Sequence, residues 1–263
     1  MRKILSVVKL NLDECRRGFL RMMIVTLLLE GGYLAFSVVH HLPTLPYTSE
    51  LSSVTDMIGY FPVSAIFLLG LLGVMFSDQM GGIGSKRSSR MGYTIYRLDM
   101  PLRNIFLGHV LSCLVMNLIY WSMHLLLLFG VSAVYVKLAA NTFGAETCRT
   151  MLVNAFYESR ILHTLLPMRD WIVYPRNLLL ILSLACTGGH YWMRRFYDNG
   201  QSWSEVVWIY IIVTNIWTEG DRWNILYDCI LYGVILLVEI VTYKPKSGTD
   251  LYPKNGKKEA ADG

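Results

Sequence analysis

The residues best suited to chemistry in this chain are a few polar side chains inside long apolar stretches. Glu30 lies in the middle of the apolar run that follows Arg21, and Asn117 and His124 lie within a later one. A charged side chain at the centre of a membrane-spanning helix costs about 3 kcal/mol on insertion scales, so such groups usually face protein or water. Glu30, Asn117 and His124 are therefore candidate residues of a substrate pathway.

Each of these candidates also has a structural interpretation. Glu30 is either a pathway residue for a cationic or amphipathic substrate or a protonated or hydrogen-bonded side chain that joins helices. For His124 a hydrogen bond between helices is favoured over a ligand role. Both alternatives stay open for Glu30 at the level of the sequence.

The sequence contains no recognisable set of catalytic residues. We find no G-x-S-x-G, no H-E-x-x-H and no convincing pair of carboxylates. The nearest approach to a phosphate-binding G-x-x-x-x-G-K-[ST] loop is Gly-Ile-Gly-Ser-Lys at 82–86, which lacks the Gly-Lys pair. His40 and His41 are adjacent and therefore diverge on a helix. We expect a protein that is not an enzyme and that binds no metal and no cofactor of its own.

Composition indicates the class of protein. Of 263 residues, 54% are hydrophobic and 16% are charged, and the mean hydropathy is +0.40. Soluble domains carry about 25% charged residues. This excludes a soluble enzyme, a disordered protein and a secreted disulfide scaffold, and it predicts an integral membrane protein.

The apolar segments predict an all-α, polytopic membrane protein. A helix needs about 20 apolar residues to cross a bilayer. Six segments qualify, within a single transmembrane domain over 1–243 that is followed by a polar tail over 244–263. The fifth segment is short, and its alternative is a shallow hairpin with the sixth. The predicted spans are 20–42, 57–77, 105–136, 171–193, 203–218 and 224–243.

The distribution of basic residues predicts the orientation. Most of the 24 Lys and Arg residues fall in the N-terminal segment, between the second and third spans, after the fourth span, and in the tail. The positive-inside rule then places both termini in the cytoplasm of a multi-pass plasma membrane protein, which we expect in a bacterial cytoplasmic membrane. The net charge of +5 follows from this topology, so nucleic-acid binding is not needed to explain it.

The segment before the first span is amphipathic. Leu5, Val8, Leu12, Cys15 and Phe19 recur at intervals of three and four, which puts them on one helical face. This predicts an N-terminal interface helix that lies against membrane lipid. The alternative is a cytoplasmic extension of the first span.

The segment between the second and third spans predicts a short cytoplasmic helix. Met91, Ile95 and Leu98 share a helical face, and Pro101 favours the start of the next helix because proline fits the first turn. The short helix therefore lies within 91–100, between two spans.

The run from Thr94 to His109 resembles the loop between the second and third spans of type-2 ATP-binding cassette transporter permeases. At the last position of the motif the family usually has Lys, whereas this chain has His109. The matching positions are Thr94, Leu98, Pro101, Arg103, Ile105 or Phe106, and Gly108.

The resemblance implies that this chain is the permease subunit of an ATP-driven exporter. The helix over 91–100 would be the coupling helix, which sits in a cleft of a separate ATPase subunit. Two ATPase subunits would carry the ATP and Mg, and a second permease copy or homologue would complete the complex. The substrate would be hydrophobic or amphipathic: a lipid-like molecule, a drug or an antimicrobial peptide. The residues expected to couple to the ATPase are Arg90, Tyr93, Thr94, Arg97, Leu98, Pro101 and Arg103.

The position of the outer segment limits the resemblance. Family members often carry their outer elaboration between the fifth and sixth spans, whereas here 137–170 is long and predicts an outer amphipathic helix. The main alternative is a non-transporting membrane scaffold or assembly factor. A passive channel is disfavoured because no span presents a sustained polar stripe.

The coupling assignment predicts the effect of a double substitution. Charge reversal in Arg97→Glu together with Leu98→Ala should abolish transport while the protein still inserts, because the contact with the ATPase is lost. Transport and membrane insertion are measured on the same preparation. Unchanged transport by this variant means that 91–100 is not the coupling helix.

Overall fold

The computed structural model describes five helices. The described residues are 2–41, 61–76, 101–144, 171–197 and 222–242, with short helical pieces at 146–147, 150, 153, 206–207 and 209–211. No strand occurs within these ranges, which confirms the all-α prediction for this part of the chain. The helices are α1 (Arg2–His41), α2 (Phe61–Met75), α3 (Leu102–Phe143), α4 (Val173–Tyr197) and α5 (Arg222–Thr242).

Three helices are long and apolar enough to cross a membrane. These stretches are Lys3–His40 in α1, Leu102–Ala140 in α3 and Asn224–Val241 in α5. They include most of the first, third and sixth predicted spans. Pro62–Val74 in α2 is apolar but shorter. A membrane location follows from these helices.

The predicted boundary between an interface helix and the first span is absent. Helix α1 continues without a break from Arg2 to His41, as the alternative interpretation anticipated. Its buried face is also rotated from the predicted one, because it includes the polar Asn11 and leaves Leu5 62% exposed. Buried residues recur at helical intervals along the whole of α1: Val7, Asn11, Cys15, Phe19, Met23, Thr26, Glu30, Leu34 and Val38.

Helices α1 and α3 pack together in parallel. Near their N-termini, Val7 lies against Gly108. Further along, Glu30 contacts His124, so the residue numbers rise together on the two helices. With 40 and 42 residues, each helix is about 60 Å long, roughly twice the hydrocarbon thickness of a bilayer.

Helices α2 and α4 run in the opposite direction to this pair. Gly70 of α2 lies beside Thr26 of α1, and Gly73 lies beside Met22. Residue numbers therefore increase in opposite directions along α1 and α2. The end of α4 packs against the beginning of α3, where Met193 clusters with Ile105.

Helices α4 and α5 are parallel to each other. Arg176 contacts Asp228, the Ser183 hydroxyl donates to the Tyr232 carbonyl oxygen, and His190 contacts Glu239. Both series of residue numbers increase together, so Tyr197 and Arg222 lie at opposite ends of the bundle.

Helix α4 is the most enclosed helix of the bundle. Every residue from Ser183 to Met193 is buried, and α4 packs against both α3 and α5. The fourth predicted span, 171–193, therefore coincides with a helix whose polar residues face protein. This explains why α4 is absent from the three apolar spanning candidates, since interior helices tolerate polar side chains.

The outward faces of α1, α3 and α5 carry large apolar side chains. Phe36 is 70% exposed and Leu237 is 63% exposed. Side chains of this kind suit contact with lipid, where exposed polar groups are costly.

Pro101 caps the start of α3, as the sequence predicted. It has an extended backbone conformation and the helix begins at Leu102. Gly144, with φ of 83°, ends the helix in a conformation that favours glycine. The predicted coupling helix over 91–100, the span over 203–218 apart from its short helical pieces, most of the outer segment 137–170 and the tail over 244–263 lie outside the described residues.

Close packing of α3 on α4 predicts a cost for any side chain at Gly189. A Cβ atom there would lie 2.6 Å from Val110 Cγ2 and 3.2 Å from the Val110 backbone nitrogen. Gly189→Ala should lower stability by about 1–3 kcal/mol, because the backbone atoms of α3 cannot move aside cheaply. Thermal melting in detergent measures this.

Gly233→Ala on α5 is the matched control, because nothing lies within 4 Å of its Cβ position. It should melt at or above the wild-type temperature. Equal melting of both variants would show that α3 and α4 do not pack this closely.

Candidate functional site

The centre of the α1–α3 interface contains a buried carboxylate–imidazole pair. Glu30 Oε2 lies 2.7 Å from His124 Nδ1, and the two side chains are 0% and 2% exposed. The tautomer of the imidazole decides which of the two groups donates this hydrogen bond. The structure thus brings together two of the three predicted pathway residues and shows the helix-joining hydrogen bond.

The hydrogen bond leaves the outer atoms of the pair unused. Neither Glu30 Oε1 nor His124 Nε2 has a hydrogen-bond partner among the described residues. A buried polar atom without a partner costs about 1–3 kcal/mol. A group that satisfied either atom would therefore stabilise this interface.

An aromatic cluster lies against the imidazole through the ring of Phe67. The Phe67 ring of α2 lies with its centroid 4.3 Å from that of His124. Tyr120 stacks on Phe67 at 5.4 Å, and Trp121 meets it edge-on at 5.9 Å. The Tyr120 hydroxyl donates to the Phe67 carbonyl oxygen at 2.7 Å, which fixes α2 to α3 beside the pair.

Asn117, the third predicted pathway residue, lies on α3 two turns before His124. It is 0% exposed, and neither its amide oxygen nor its amide nitrogen has a partner among the described residues. Trp121 Nε1, also without a partner there, lies between the two. Residues at these intervals share one helical face, so unpartnered polar atoms follow the interior side of α3.

A second polar cluster joins the helices at the Pro101 end of α3. The Asn11 amide nitrogen lies 2.9 Å from His109 Nδ1 and donates to Ser112 Oγ at 3.2 Å. His109 also meets the Trp192 ring of α4 edge-on at 5.4 Å. His109 stands where the resembling family usually has Lys, and here it is fully buried between three helices.

Helices α4 and α5 are joined by one ion pair and by a second carboxylate–imidazole contact. Arg176 Nε donates to Asp228 Oδ2 at 2.9 Å, and both side chains are buried. Near the other end, His190 Nδ1 contacts Glu239 Oε2. His190 also lies 5.2 Å from the Phe106 ring, which links this pair to α3.

Of the seven predicted coupling residues, the structure describes two. Pro101 and Arg103 are exposed at the beginning of α3. The others, Arg90, Tyr93, Thr94, Arg97 and Leu98, lie outside the described residues.

Sequence reasoning missed the pairs of α4 and α5. Neither Arg176, within the fourth predicted span, nor Asp228, within the sixth, was identified as a candidate. A signal was present, because Arg176, Ser183 and His190 recur every seven residues and so share a helical face. Polar residues at that interval within an apolar segment indicate a face toward protein.

Within the described ranges, no group of three or more His, Cys, Asp or Glu side chains is placed to hold a metal ion. The buried carboxylates of Glu30, Asp228 and Glu239 each contact a basic side chain.

Comparison with known protein families, with curated proteins and with solved structures gave no match. The function therefore has to be inferred from the residues and geometry of this chain.

Removing one member of the buried Arg176–Asp228 pair should lower stability more than replacing both members with apolar residues. Asp228→Ala leaves the Arg176 guanidinium buried opposite a lost carboxylate and should cost about 3–5 kcal/mol of stability. The double variant Arg176→Met with Asp228→Leu removes both charges and should cost much less. Thermal melting of both variants in detergent checks this.

Asp13→Ala, an exposed carboxylate on α1, is the control and should melt like the wild type. If the double variant is as unstable as Asp228→Ala, the pair is not a compensating contact.

Proposed function

We propose that this chain is the permease subunit of an ATP-driven exporter of the ATP-binding cassette type. It would work with two separate ATPase subunits and with a second permease copy or homologue. Its substrate would be hydrophobic or amphipathic. The chain would supply the path and carry out no ATP chemistry itself.

One observation carries the proposal. The segment that resembles a coupling helix, 91–100, leads through Pro101 directly into α3. The first turns of α3 are fixed to α1 through Asn11 and His109, and to α4 through Phe106 and His190. A displacement of 91–100 by an ATPase would therefore reach three helices at once.

The length of α3 connects this end to the candidate pathway. His109 and His124 are 15 residues apart on one continuous helix, which is about 22 Å along its axis. Glu30 of α1 contacts α3 at His124, the far end of this 15-residue stretch. Movement at the Pro101 end would thus be transmitted to the buried Glu30–His124 pair.

The proposal includes six spans with both termini in the cytoplasm. Because α4 and α5 are parallel, residues 198–221 have to join opposite ends of the bundle. As helix, these 24 residues would extend about 36 Å, enough to cross the hydrocarbon core. If residues 198–221 cross the membrane once, the tail after α5 lies in the cytoplasm, as its basic residues predict.

A membrane scaffold is the second candidate. It is favoured by the observation that Glu30, Asp228 and Glu239 are each paired with a basic side chain of a neighbouring helix. In a scaffold these pairs would serve stability alone, and the chain would need no ATPase.

Affinity purification from native membranes in mild detergent distinguishes the two. Mass spectrometry and an ATPase assay should find a P-loop ATPase in near-stoichiometric amount with the wild-type chain. Deletion of 86–100 should abolish that association, because it removes the proposed docking segment. Arg97→Glu with Leu98→Ala should weaken it.

Lys254→Glu with Leu251→Ala in the tail is the matched control and should retain the ATPase. If no ATPase is recovered with the wild type, even after crosslinking at 86–100, the scaffold function replaces this proposal.

A further inference from the structure

The exposed face of α1 changes in chemical character at Arg21. Nine residues are exposed from Lys3 to Arg21, and six of them are charged. Nine residues are also exposed from Met22 to His40, and none of these carries a carboxylate, an ammonium or a guanidinium group. The stretch from Met22 to Val39 is about 27 Å long as helix, close to the hydrocarbon thickness of about 30 Å. The exposed face of α1 therefore enters the hydrocarbon at Arg21.

Three arginines lie at this boundary. Arg16 and Arg17 precede Arg21 by about 6–8 Å along the helix axis, and all three side chains are exposed. The polar headgroup region on each side of the hydrocarbon is roughly 5–8 Å thick. The three guanidinium groups therefore lie at headgroup level. Lys9, which is about 18 Å from Arg21 along the axis, lies beyond it.

The helices around α1 supply no negative charge at this level. Helices α2 and α3, which pack on α1, contain no acidic side chain, and neither does α4. On α1 itself the nearest acidic residues are Asp13 and Glu14. They lie about 10–12 Å from Arg21 along the axis, on the side away from the hydrocarbon. The described helices therefore place a net positive charge at headgroup level.

Apolar side chains continue from the arginines along the same helical face. Arg17, Arg21, Ile24 and Leu28 recur at intervals of four and three, so they lie above one another on α1. Ile24 is 54% exposed and Leu28 is 69% exposed. A molecule with a negative headgroup and a hydrocarbon chain can contact both parts of this face at once. Anionic phospholipids have this chemistry, and their surface charge attracts Lys and Arg.

We propose that Arg16, Arg17 and Arg21 bind the headgroup of an anionic phospholipid whose hydrocarbon chain lies along Ile24 and Leu28. A guanidinium group can donate two parallel hydrogen bonds to one phosphate, which favours a defined headgroup position over a diffuse attraction. The proposal requires only the membrane location of this chain. It is independent of the exporter assignment and of any ATPase.

Binding is measured on the full-length purified chain in mild detergent by native mass spectrometry. The chain is offered equal amounts of dioleoyl-phosphatidylglycerol and dioleoyl-phosphatidylcholine, which have the same hydrocarbon chains and differ in headgroup charge. Each basic side chain near a membrane surface contributes about 1 kcal/mol, which is roughly fivefold in affinity. We expect the wild type to retain phosphatidylglycerol over phosphatidylcholine by at least roughly tenfold.

Substitution of the arginines separates charge from the other properties of the face. Arg16→Gln with Arg17→Gln should lower the preference roughly tenfold or more, because two of the three charges are lost. Arg16→Lys with Arg17→Lys should keep most of it, because the charges stay at the same level. Thermal melting checks that each variant is folded. If the double glutamine variant is unfolded, Arg17→Gln alone replaces it and should lower the preference roughly fivefold.

Lys3→Gln with Lys9→Gln is the matched control, because it removes the same net charge from α1 beyond headgroup level. It should keep the wild-type preference. An equal loss in this control would show that the preference follows net charge, and it would overturn the site. No preference in the wild type, or an unchanged preference after loss of Arg16 and Arg17, would also overturn it.

A second competition identifies the source of the bound phosphate. Glycerol phosphate, which has no hydrocarbon chain, should not displace phosphatidylglycerol at equal concentration, because it cannot contact Ile24 and Leu28. Displacement by glycerol phosphate would show a site for soluble anions and would overturn the assignment to lipid.

Discussion

Buried polar side chains in an apolar bundle need partners on neighbouring helices, and this requirement determines how the five described helices are arranged. Asn11 with His109 and Glu30 with His124 hold α1 parallel to α3. Arg176 with Asp228 holds α4 parallel to α5 at one end. Apolar helices that slide along one another bury a similar apolar area in each position. An unpartnered buried charge, in contrast, costs several kcal/mol. The polar contacts therefore select one register among many that would bury comparable apolar area.

The same contacts relate stability to the proposed function. Helix α3 is joined to α1 near its N-terminal end and again at the centre of their interface, and to α4 near Phe106. A helix connected in this way moves with its neighbours rather than alone. The Glu30–His124 pair lies within that interface, beside Phe67 of α2, so relative movement of α2 would change the surroundings of the pair. A stabilising contact and a substrate site can thus be the same pair of residues.

Local signals were sufficient for much of the fold. Hydropathy predicted the helices, and Pro101 marked the start of α3. Glu30, Asn117 and His124 were identified as buried polar candidates because charged and polar groups are rare in such segments. Sequence could not show that Glu30 meets His124, since the two are 94 residues apart and several polar partners were available. Nor did the amphipathic pattern at the N-terminus single out Asn11, which is buried and contacts His109 and Ser112. Partner choice is a tertiary property, and no local pattern encodes it.

Labelling of single cysteines from one side of the membrane tests most directly whether polar pairs set the helix directions. In a chain without its native cysteines, Trp171→Cys before α4 and Gly220→Cys before α5 should react with an impermeant maleimide on the same side. Thr94→Cys and Thr249→Cys should react only from the opposite side. This result is expected because parallel α4 and α5 begin at the same face of the bundle. Reaction of Trp171→Cys and Gly220→Cys from opposite sides would contradict the parallel arrangement and, with it, the six-span topology on which the proposed coupling depends.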